Sequence, residues 1–170
     1  EQTADGIAEV LPFASLKDYR AWLARLNALP GVIEQTTVLM REGLKQGSTP
    51  PRVLMQRVPA QIATQIVDDP AKSAFYRPFL RFPADVPESE RAALQAQAKQ
   101  AIAERIVPAY RKFAAFFNEE YLPKTRTGIA AAEQPDGKAY YDFLARYYTT
   151  TDLSAEQIHQ TGLQEVARIR

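Results

Sequence analysis

The chain has 170 residues, 46% hydrophobic and 24% charged, with 21 Lys and Arg against 20 Asp and Glu for a formal net charge of +1. That is ordinary globular composition, long enough for one domain with its own core and far from the charge-rich signature of disorder. The charges are interspersed, so the clustered basic footprint of a nucleic-acid binder is missing, and zero cysteines exclude a disulfide framework, a thiolate nucleophile and a Cys-ligated zinc.

No apolar run approaches the roughly eighteen residues of a transmembrane helix, and the opening Glu1-Gln2-Thr3-Ala4-Asp5 lacks the basic and apolar regions of a signal peptide. Within the sequence, Ser15 and Asp18 make a capping-box pattern ahead of Leu16, Tyr19, Leu23 and Leu26, which recur at steps of three and four. The spacing predicts an amphipathic helix that ends at Pro30-Gly31, two residues that continue a helix poorly. A second helix carries Ile33, Thr37, Met40 and Leu44 on one face and closes on Gly47 as its left-handed residue. Thr49 is the expected N-cap of a third, with Pro50 and Pro51 in its first turn, Leu54, Val58, Ile62 and Ile66 on its face, a kink at Pro59 and a stop at Asp69-Pro70. Residues 14–69 thus read as three short helices.

Phe75, Tyr76, Phe79, Leu80 and Phe82 lie among prolines in an irregular stretch, residues 70–87, that aromatic burial should hold down. Residues 88–122 contain no glycine, and Leu94, Ala98, Ile102, Ile106, Tyr110, Phe113, Phe117 and Tyr121 follow at steps of three or four. One helix of roughly 50 Å is expected, kinked where Pro108 leaves the Glu104 carbonyl without its amide. A polar loop with the turn Pro135-Asp136-Gly137 leads to two helices in residues 138–170. The first holds four tyrosines in nine residues, Tyr140, Tyr141, Tyr147 and Tyr148, whose rings should line a helix-helix seam. The second opens with the capping box Ser154/Gln157, framed by a staple of Leu153 and Ile158, and reaches Arg170 with no stop signal, as a truncated helix would. The fold class is therefore all-α, an irregular multi-helix bundle around one long kinked central helix, with residues 1–170 forming a single helical domain or part of a larger helical protein.

Chemistry is scarce. His159 is the single histidine, so triad catalysis and two-histidine zinc motifs would have to route through it. Glu156 and His159 form one Glu-x-x-His, the i, i+3 spacing of di-iron bundles, which need that motif twice. Glu156 in the first turn is also explained by the helix dipole. The seven glycines form no phosphate-binding loop, and no G-x-S-x-G elbow occurs. The residues alone supply no catalytic side chains, metal ligands or cofactor site.

One stretch is more specific. From Tyr140 through Tyr147, Tyr148, Leu153, Glu156, Ile158, His159, Gly162, Leu163, Glu165, Val166 and Arg168, the pattern resembles the bacterial family called domain of unknown function 885. Weaker similarity runs through Pro123, Gly128 and Pro135 to Lys138, and earlier through Tyr19 to Pro30, Arg41 to Gly43, Gly47, Pro50, Pro51, Phe75, Tyr76, Pro78 and Phe79. The resemblance implies a larger helical parent, exported or lipid-anchored and so periplasmic or in the cell envelope. It also implies likeness to zinc metallopeptidases with an H-E-x-x-H helix, two histidines binding zinc and a glutamate as general base. That helix is absent here, so the resemblance implies the amino-terminal portion of such a protein, inactive alone, with zinc in the parent only.

On that basis His159, Tyr147 and Tyr148 are the candidates for substrate contact, with His159 donating to a substrate or a developing oxyanion. A histidine in a first helical turn could equally tie helix ends together. The implied partners are the remainder of the parent chain and a peptide substrate, with self-association through unpaired apolar surface on the last helix. The alternative is a non-enzymatic interaction module whose partner surface combines the tyrosine-rich helix with residues 73–87.

Overall fold

The computed structural model describes residues 6–170; residues 1–5, the opening without signal-peptide character, lie outside the described residues. Among the described residues every regular element is helical. A single turn, α1 (Ile7–Val10), precedes α2 (Leu16–Lys45). The α2 start is the expected capping box: the Asp18 carboxylate accepts from the Ser15 amide at 2.8 Å and from its hydroxyl at 2.9 Å. These bonds hold the Asp18 carboxyl below its ordinary pKa, the Ser15 hydroxyl contributing most.

The predicted break at Pro30-Gly31 does not occur. α2 runs through both residues for 30 residues, so two of the three expected helices are one. Proline in a helix interior costs about 3 kcal/mol, yet the helix is packed on both sides of it. Tyr19, Trp22, Leu23 and Leu26 are buried before the proline, and Met40 and Leu44 pack into a second cluster after it. Stopping at Pro30 would detach one of those clusters, and tertiary packing overrides the local penalty. Gly47 does close α2, with φ +71°.

The expected third helix is split into α3 (Arg52–Met55) and α4 (Val58–Ala63), with Pro59 near the α4 start. Thr49 caps neither. It is buried, its hydroxyl accepting from the Arg126 amide at 3.1 Å and its carbonyl from Arg126 Nε at 2.9 Å. Arg52 returns the contact, donating to the carbonyls of Pro123 and Thr125 at 2.6 and 2.8 Å. Two polar loops are thereby tied across more than 70 residues, satisfying backbone groups that burial would otherwise orphan. Asp69 stops no α-helix; it caps the 3-10 turn Pro70–Lys72, accepting from the Ala71 amide at 2.9 Å.

A further 3-10 segment, Ala74–Leu80, buries Phe75, Tyr76 and Phe79 against α2, while Leu80 stays exposed. Trp22 Nε1 donates to the Phe75 carbonyl at 3.1 Å, and Gln95 Nε2 to that of Phe79 at 2.9 Å, so this prolyl segment is pinned by side chains.

The central helix forms in one continuous run. α5 (Glu88–Ala101) passes through a π-helical turn (Ile102–Ile106) into α6 (Val107–Ala115), and a second π turn (Phe116–Tyr121) leads to the 3-10 turn Leu122–Lys124. The first π turn lies immediately ahead of Pro108. Widening the hydrogen-bond spacing there absorbs the missing proline amide within the helix. Ile102 and Ile106 of that turn are fully buried against α2. After the 3-10 turn Ala131–Glu133 come α7 (Gly137–Thr149) and α8 (Ala155–Ile169).

Candidate functional site

Two places in the molecule combine shape with chemistry: the α7–α8 hairpin, which carries the sequence-derived candidates, and a cleft between α2 and α6.

The hairpin is built locally. Gly137 opens α7 against the Ala131–Glu133 turn, where an added Cβ would come within 1.9 Å of the Ala131 carbonyl oxygen, so only glycine fits. Asp136 before it has φ 55°. At the far end Thr150 closes α7 at φ 57° and donates its amide to the Arg146 carbonyl at 2.9 Å. The Thr149 hydroxyl donates to the Ala145 carbonyl at 2.7 Å and lies 2.9 Å from that of Thr151. α8 then starts on the expected capping box, Ser154 amide to Gln157 Oε1 at 2.8 Å and Gln157 amide to Ser154 Oγ at 3.2 Å.

On this frame the four tyrosines do not form a closed seam. All four are exposed, Tyr148 at 77%, because no other element covers their face. Tyr147 stacks on Phe143 at 6.0 Å between centroids and meets Tyr148 edge-on at 5.1 Å. Tyr141, Leu144, Tyr148 and Ile158 line an open groove of about 340 Å³ between the two helices.

His159 is exposed, one residue along from Ile158, and takes no part in the hydrogen bonds that shape the hairpin. It therefore does not tie helix ends together. Its i+4 and i+7 neighbours, Leu163 and Val166, are also exposed, so His159 heads a solvent-facing apolar stripe. Helix spacing brings His159 beside that stripe, while Tyr147 and Tyr148 sit at the other end of the α7–α8 turn. Glu156 does not turn toward His159: its carboxylate accepts from Gln160 Nε2 at 2.7 Å. Among the described residues no group of three or more Asp, Glu or His side chains is placed to hold a metal ion.

The second place is one that sequence reasoning missed. A cleft of about 610 Å³ opens between α2 and the α6 side of the central helix. Pro30, Ile33, Pro108, Phe113 and Phe116 form its more buried floor, and the exposed Glu34, Glu104, Arg105 and Lys112 its rim. Arg41 closes one end. Its guanidinium lies 4.7 Å from the Phe116 ring centroid and grips the Glu120 carboxylate at 2.8 to 3.1 Å. The hydrogen bonds from Arg41 hold the Glu120 carboxyl below its ordinary pKa and raise that of Arg41. The sequence signal was available in Pro30-Gly31 and Pro108, but each reads as a helix end or kink until the two helices are seen side by side.

Comparison with curated proteins and with solved structures found no match for this chain. A family match covers residues 1–170, the span of both the cleft and the hairpin. The chain belongs to the family described as Bacterial protein of unknown function (DUF885).

Proposed function

We propose that this chain is the helical amino-terminal portion of a zinc-metallopeptidase-like bacterial protein, supplying scaffold and, through the α7–α8 face, a wall of the substrate cleft. The observation that carries the reading is that one hairpin exposes both the α8 stripe of His159, Leu163 and Val166 and, at the end of α7, Tyr147 and Tyr148, while contributing almost nothing to the core. An exposed face of that composition suits a covering partner or a ligand. In the parent, an H-E-x-x-H helix would hold the zinc, which would supply Lewis-acid chemistry when bound. His159 then faces substrate as a hydrogen-bond donor, and the tyrosines supply rigid amphipathic contact.

The test is a zinc titration of this chain with a peptide library. No zinc-dependent turnover is expected; turnover that His159→Ala abolishes would overturn the reading. In the full-length parent, His159→Ala is expected to lower kcat/KM while zinc content stays constant.

An interaction module is the second reading, favoured by the same exposed tyrosines. Half of the surface it requires is missing, since Phe75, Tyr76 and Phe79 of the other segment are buried. Light scattering reads its simplest form, association of this chain with itself through α8.

A further inference from the structure

Gly31 lies in the middle of a 30-residue helix, where glycine costs about 1 kcal/mol relative to alanine, and a Cβ placed there would meet nothing within 4 Å. No neighbour requires the glycine. It lines the α2–α6 cleft, and with Pro30 beside it two adjacent residues that weaken the helix border the same open volume. The cleft is kept empty by residues that local stability disfavours.

Charge is also left unspent there. Arg41 is matched by Glu120, while Glu104, among the described residues, accepts only from the neutral Gln100 amide at 3.0 Å and keeps its charge. Glu34 on the α2 wall and Arg105 and Lys112 on the opposite wall form no ion pair with each other or with any other described residue. Charges of opposite sign thus line the two walls of the cleft without pairing. Arg105 and Lys112 are two helical turns apart, roughly 10 Å along the axis, with Pro108 and Ala109 between them. A ligand that engages both walls would carry an amine toward Glu34, a carboxylate toward Arg105 or Lys112, and an apolar body over Ile33, Phe113 and Phe116. A volume of 610 Å³ is within the usual range for small-molecule pockets.

We infer that the α2–α6 cleft is a binding site for a short zwitterionic peptide, free at both termini and carrying an apolar side chain. The site is separate from the α7–α8 face and does not depend on the peptidase reading.

The test is isothermal titration of the full chain with the tripeptide Ala-Leu-Ala, its N-acetyl form, its C-terminal amide and the doubly capped form. The uncapped peptide is expected to bind, each single cap to weaken binding at least tenfold, and the doubly capped form not to bind. Gly31→Trp should fill the cleft and abolish binding with the helical circular dichroism unchanged. The exposed pair Arg105→Ala and Lys112→Ala, which spares the packing, should erase the preference for the free carboxylate over the amide, and it decides the matter if Gly31→Trp does not fold. No binding of the uncapped peptide, equal binding of the doubly capped form, or full affinity and preference retained in the Arg105/Lys112 variant would overturn the proposal.

Discussion

The body of the molecule, from α1 through the loop at Thr125, and the α7–α8 hairpin use similar sequence patterns to opposite effect. In the body, aromatic residues at helical spacing are buried: Tyr19, Trp22, Phe75, Phe79 and Phe117 are each at most 2% exposed. In the hairpin the same kind of periodicity leaves Tyr147 at 65% and Ile169 at 74% exposed, and Gly137 is the one buried residue of its two helices. The hairpin is shaped by turns and caps, the body by two hydrophobic clusters joined at Tyr110. Amphipathic spacing therefore marks a face that wants a partner, without saying whether this chain provides one.

The contrast can be broken most sharply from the core side. Trp22→Ala removes a buried indole and the bond from its Nε1 to the Phe75 carbonyl, and should cost about 3 to 5 kcal/mol in urea-induced unfolding. Tyr148→Ala, deleting a ring of similar kind, should stay within about 0.5 kcal/mol of the parent chain. Equal losses at the two positions would show that the hairpin face is covered within this chain.

A smaller effect is expected where the hairpin joins the body. Gly137→Ala drives a methyl into the Ala131 carbonyl and should cost on the order of 1 to 3 kcal/mol. Hydrogen exchange should show α7 and α8 losing protection while α2 and α5 keep theirs. Smaller again is Ser154→Ala, which removes one half of the α8 capping box at about 1 kcal/mol, with faster exchange confined to the first turn of α8. Uniform loss of protection in either variant would mean that hairpin and body unfold as one unit.

The mildest test is acid. The Glu120 carboxyl is held below its ordinary range by its hydrogen bonds from Arg41, so folding favours its charged form. The sign follows: the contribution is fully present above the unfolded value and is lost as the pH falls through the lowered folded value. Glu120→Gln should flatten that part of the acid unfolding curve and leave the curve at neutral pH and above parallel to that of the parent. The pair is largely open to solvent, so added salt should shrink the difference.

The all-α class, the long helix over residues 88–122 and both capping boxes were legible in the sequence, because each rests on interactions within a few residues. The capping pairs at Ser15/Asp18 and Ser154/Gln157 are three residues apart and need no tertiary context. The tertiary structure decided the continuity of α2 through Pro30, since the reason lies in two cores that residues distant in sequence complete. It also decided Thr49, whose short polar side chain suits a helix cap and a buried clamp alike until Arg126 is brought beside it. The α2–α6 cleft was invisible for the same reason: a gap between helices is set by what faces what, and spacing along one chain encodes only which face each residue occupies. His159 remains where its sequence placed it, on a helix face, and the fold adds that this face is open.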